Sequence, residues 1–119
     1  MKLARHEAAL NCFDRALAAN PRGAWWTRKA DVLMEWARIK GTESLEPARE
    51  ALTCFERAIA VSPHDVTAWH NMGVLLTFGF QRHGEALACF EEARRLGHPQ
   101  AAQSIAMCRE NLDKQTDRS

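Results

Sequence analysis

The chain has 119 residues, 46% hydrophobic and 26% charged, and its sixteen Lys and Arg face fifteen Asp and Glu for a formal net charge of +1. That is one domain's worth of chain with apolar content for a continuous core. Its balanced, interspersed charge gives no electrostatic reason to expect nucleic acid or an acidic membrane surface as partner. The most apolar run, Met72 to Phe80, contains Thr77 and two Gly, far short of the ~20 residues a spanning helix needs, and no basic start followed by an apolar h-region marks a secretory signal. A cytoplasmic protein is expected.

In chain order, Leu3, Ala9, Leu10, Phe13, Ala16 and Leu17 recur at helical period and predict a helix over Leu3 to Ala19. Asn20-Pro21-Arg22-Gly23 turns the chain. A second helix, from about Ala24 to Lys40, puts Trp26, Ala30, Leu33 and Ala37 on one face, with Trp36 beside it. Gly41 and Thr42-Glu43-Ser44 break the pattern, and Pro47 falls in the first turn of the next helix, where its missing N–H costs little. That third helix spans Glu46 to Val61. Ser62-Pro63-His64-Asp65 is a turn, with Asp65 placed to cap a fourth helix, Val66 to Phe78, whose inner face is Trp69, Met72, Gly73 and Leu76. A fifth helix, Glu85 to Leu96, ends at Gly97-His98-Pro99. The last, Gln100 to Asp113, turns Ala101, Ile105, Cys108 and Leu112 inward and keeps one wet face, as the cap of an open-ended stack needs. Residues 115–119 read as a frayed tail.

Three of these helices carry the same pattern. Ala9, Phe13 and Ala16 lead to Pro21; Ala51, Phe55 and Ala58 lead to Pro63; Ala86, Phe90 and Ala93 lead to Pro99. Matching residues lie 42 and then 35 positions apart, and a Cys precedes each Phe: Cys12, Cys54 and Cys89. Copies at such spacing indicate a repeat protein. Because these Cys share one repeat slot, a zinc or disulfide framework would have to ignore the repeat. Free thiols, no metal and no cofactor are expected.

The pattern resembles the tetratricopeptide repeat, a helix pair with Trp, Leu, Gly and Tyr positions in its first helix and Ala, an aromatic and Ala before a Pro in its second. Trp69, Met72, Gly73 and Leu76, followed by Ala86, Phe90, Ala93 and Pro99, match it; so do Trp26, Lys29, Ala30 and Leu33, followed by Ala51, Phe55, Ala58 and Pro63. The middle copy is longer, with 21 positions from Ala30 to Ala51 against 13 from Gly73 to Ala86. The resemblance implies an all-α, right-handed superhelical stack of antiparallel helix pairs. It forms a single domain over 1–114: a partial repeat (3–22), a long repeat (23–65), a repeat (66–99) and a capping helix (100–114).

It also implies a non-catalytic scaffold that binds a protein or peptide segment in a concave groove. Carried onto this chain, that groove presents Thr27, Arg28, Asp31, Met34 and Glu35, then His70, Asn71, Val74, Thr77 and Phe78. Outer residues such as Arg57 are expected to stand apart from it. A subclass of the family grips the C-terminal carboxylates of heat-shock chaperones with Lys, Arg and Asn. Here only Asn71 fills such a slot; Thr27 and Asp31 stand where Lys and Asn are needed, and Gln103 or Ala106 fills the rest. The resemblance therefore excludes that clamp.

Two further readings come from the residues. An enzyme would have to use His70 oriented by Asp31; no phosphate loop, nucleophile elbow or metal cluster accompanies them, so no catalytic residue is assigned. Self-assembly would use Leu3, Leu10, Phe13, Leu17 and Trp25, a stripe that in the family a preceding helix would cover and that a two-fold homodimer would cover here.

Overall fold

Each apolar stripe lies on a helix in the computed structural model, which describes residues 2–19, 23–40 and 45–118 and the side chains of 7–19, 25–39 and 45–114. The helices are α1 (Lys2–Ala19), α2 (Gly23–Lys40), α3 (Glu46–Val61), α4 (Val66–Phe78), α5 (His83–Arg95) and α6 (Ala101–Arg118), with no strand among the described residues. The fold is all-α and built from helical repeats. Two ends differ from expectation. α5 begins earlier, at His83, and α6 runs on to Arg118 rather than giving way to a frayed tail at 115; Gln115-Thr116-Asp117-Arg118 contains no Gly or Pro to stop it. The expected breaks at Asn20 to Arg22 and Gly41 to Ser44 lie outside the described residues.

The chain divides between Asp65 and Val66 into two compact units. In the first, α2 packs on both α1 and α3; in the second, α5 packs on both α4 and α6. The α3 stripe shows why. Ala48, Ala51, Cys54, Phe55 and Ala58 are all buried, at the three- and four-residue steps that stack side chains on one face, and Pro47 sits in the first turn. The Ser62 N–H bonds Ala58 O at 2.8 Å, and Pro63 ends the run. Small Ala residues flank the single large Phe55, so a neighbouring helix can close over the ring.

The second unit repeats the arrangement with Ala86, Cys89, Phe90 and Ala93 on α5. Gly97 terminates α5 in the left-handed conformation (φ 96°), with its N–H to Arg94 O and the His98 N–H to Ala93 O, both 2.9 Å. This pair of bonds closes the helix end and sets the position of His98. Ala101, Ile105 and Cys108 of α6 are buried. Phe55 and Phe90 are fully buried, but Phe13, their counterpart in α1, is only half-buried.

Candidate functional site

The inward period of α2 buries Ala30 and Leu33 and leaves Arg28, Asp31 and Glu35 exposed, with Met34 half-buried. Thr27 departs from the expected groove. It is 6% exposed, one turn before Ala30, and its hydroxyl donates to Asp65 Oδ2 at 2.8 Å. That bond holds the carboxylate expected to cap α4. A buried hydroxyl needs such a partner, so Thr27 serves the fold.

On α4, His70, Asn71 and Val74 are half-buried and Phe78 is 71% exposed. Thr77 is again a correction: it is 3% exposed, donates to Gly73 O at 2.9 Å and lies 3.7 Å from Cys108 Sγ of α6. A third helix packing on α4 takes up this side chain.

His70 is built into its own unit. Its Nε2 is 3.1 Å from Ser104 Oγ, its ring stacks on His98 at 4.0 Å and 7°, and Phe90 lies 5.3 Å away. His98 Nδ1 accepts the Gln100 N–H at 3.1 Å, so its proton is on the other nitrogen. Burial lowers the His70 pKa, and His98 lowers it further, against a hydrogen bond to the Asn71 side chain that favours the cation. Asp31 belongs to the other unit.

The stripe proposed for self-association is partly closed within the chain. Leu17 is 8% exposed, and half-buried Phe13 meets half-buried Trp25 at 6.1 Å, with the Arg28 guanidinium 5.5 Å from the Trp25 ring. Among the described residues only Leu17 of the stripe is buried, and Leu10 is half-buried like Phe13 and Trp25; the side chain of Leu3 lies outside the described residues.

Sequence reasoning missed a cleft of about 430 Å³ between α2 and α3, lined by Trp26, Lys29, Arg49, Glu50, Cys54 and Arg57 among others. Arg57 and Lys29 lie 5.2 and 5.9 Å from the Trp26 ring centre, and Lys29 Nζ is 2.6 Å from Asp14. Burial works against the Lys29 charge, yet the Asp14 hydrogen bond and neighbouring carboxylates raise its pKa overall. Burial raises that of the Cys54 thiol, against the pull of Lys29, so the cleft holds a thiol rather than a nucleophilic thiolate. The available signal was the i, i+4, i+8 row Arg49, Thr53, Arg57 on α3.

Cys12 is exposed, whereas Cys54, Cys89 and Cys108 are buried, and all four are free. Among the described residues no group of three or more His, Cys, Asp or Glu is placed to hold a metal ion, and no helix is long and apolar enough to cross a membrane.

The tetratricopeptide repeat family model matches residues 1–35, α1 and most of α2. The fold is similar to the second TPR domain of human RPAP3, solved in complex with the HSP70 peptide SGPTIEEVD. That match has 22% identity and a TM-score of 0.72 over 91% of this chain and 84% of that one. It is also similar to the MamA protein at 17% identity and a TM-score of 0.53, over 92% of this chain and 75% of that one. At these identities the likeness is one of fold. No curated protein matches the chain.

Proposed function

We propose that the chain is a tetratricopeptide repeat protein and a non-catalytic scaffold, with the exposed side chains of α2 in one unit and of α4 in the other each a face on which a partner protein can dock. The observation that carries this is the sidedness of α2. Arg28, Asp31 and Glu35 stand exposed on a helix whose Ala30 and Leu33 are at most 1% exposed. Side chains on so firmly anchored a helix meet a partner without an ordering cost of their own backbone. On α4, Phe78 adds a large exposed apolar side chain. The RPAP3 domain, which holds a peptide in its solved complex, supports the reading by analogy of fold.

Arg28 and Arg38 balance Asp31 and Glu35, so the exposed α2 face carries both signs of charge. The test is a random peptide library displayed on phage and selected on the full chain. Selected peptides should lose most of their affinity for Asp31→Ala or for Phe78→Ala, according to the face they take, with melting temperatures unchanged, since both positions are exposed. Equal binding to the wild type and both variants would overturn the assignment of these faces.

A further inference from the structure

The cleft between α2 and α3 is a second surface, independent of the exposed α2 and α4 residues. Arg57 is exposed, its guanidinium 5.2 Å from the centre of the Trp26 ring, and among the described residues it has no carboxylate partner. A guanidinium held over an aromatic face by its charge keeps N–H donors at its edge that can reach a planar anion. Arg49 is two turns earlier on the same row of α3. Its partner is Glu46 at 3.5 Å, in a pair whose side chains are 63% and 71% exposed, a pairing that competes weakly with an incoming anion. Lys29 is already committed to Asp14 at 2.6 Å. Glu50 is the one carboxylate among the lining residues.

We propose that this cleft binds an acidic, extended stretch of a partner protein, with one carboxylate on the edge of Arg57, a second on Arg49 and an apolar side chain between them on Trp26. The spacing follows from the helix. Eight residues of α3 separate the two Arg, a rise of about 12 Å, and an extended peptide covers about 13 Å in four residues. Alternate residues of an extended chain point to the same side. The matching pattern is therefore Glu, any residue, Leu, any residue, Glu.

The probe is the fluorescein-labelled peptide Gly-Ser-Glu-Ser-Leu-Ser-Glu-Ser-Gly, titrated by anisotropy against the full chain. Saturable binding is expected, falling at least tenfold in Arg57→Glu, several-fold in Arg49→Glu and by an intermediate amount in Arg57→Gln, with melting temperatures unchanged. Arg94→Glu, the same charge change at an exposed position in the other unit, should stay within twofold. The proposal fails if the peptide does not bind, or if Arg94→Glu weakens it as much as Arg57→Glu, which is diffuse attraction. It fails equally if a Lys-for-Glu peptide binds as well, or if a single-stranded oligonucleotide displaces the peptide from the Arg57 site at lower concentration.

Discussion

A methyl group on Gly73 would lie 2.6 Å from Cε1 and 2.9 Å from Cζ of Phe90, so the bare Cα of the glycine is what lets α4 close on that ring. Gly73→Ala sets two effects against each other. Helix propensity favours Ala by about 1 kcal/mol, while overpacking a core costs about 1–3 kcal/mol. Phe90 is fully buried, so the overpacking cost lies in the upper part of its range and wins, with an expected net loss of up to about 2 kcal/mol. Urea denaturation of Gly73→Ala, Phe90→Leu and the double variant checks this. The pair should cost less together than the sum of the singles; strict additivity would mean that the ring is not what meets the methyl.

Phe55→Ala should cost about 3–5 kcal/mol, since the ring is fully buried. Phe13→Ala should cost clearly less, because its ring is only half-buried. Thermal melts of both variants give the comparison, and equal losses would contradict it.

Thr27→Val keeps the shape of the side chain and removes the donor to Asp65. Hydrogen bonds to charged groups contribute about 1.5–3 kcal/mol, and this one is part-buried, so a loss near the lower end is expected in chemical denaturation. An unchanged midpoint would show that water replaces the hydroxyl without penalty.

His70 links stability to pH. Its pKa in the folded chain lies below the ordinary value, so below about pH 6.5 the unfolded chain takes up the proton more readily than the folded one. The contribution is complete above that pH and is lost as pH falls toward the folded pKa. The groups around the ring are His98, Ser104, Phe90 and Asn71. Melting temperatures between pH 8 and 5 should fall more steeply on acidification in the wild type than in His70→Asn. Parallel curves would remove His70 as the source.

Some of this was legible in the chain itself. The bounds of α3 and α4, the burial of Phe55 and Phe90 and the need for a bare Cα at Gly73 follow from period, from Pro and from small residues beside large ones, all of which act within a helix or its immediate partner. Thr27 and Thr77 were misread for one reason. Periodicity tells the inner face from the outer, but a third helix, or a carboxylate beyond the whole of the following helix, can take up a side chain at the margin between them. The cleft was invisible for a related reason: the meeting of Trp26 with Arg57 depends on how α2 and α3 are rotated about their axes, which no spacing along one helix encodes. α6 ran on because nothing in its tail forbids it.

The recurring cysteine slot has a consequence for how the molecule can be watched. Cys12 is exposed while Cys54, Cys89 and Cys108 are buried, and burial with nearby Glu85 and Cys108 pushes the Cys89 thiol up to about 11. A thiol reagent at neutral pH therefore marks Cys12 at once and reaches the other three only when local opening exposes them and frees their thiolates. Cys54 lies in the first unit, Cys89 and Cys108 in the second. Each half thus carries its own chemical stopwatch, readable by mass without any added label, and the order in which the masses appear tells which half breathes first.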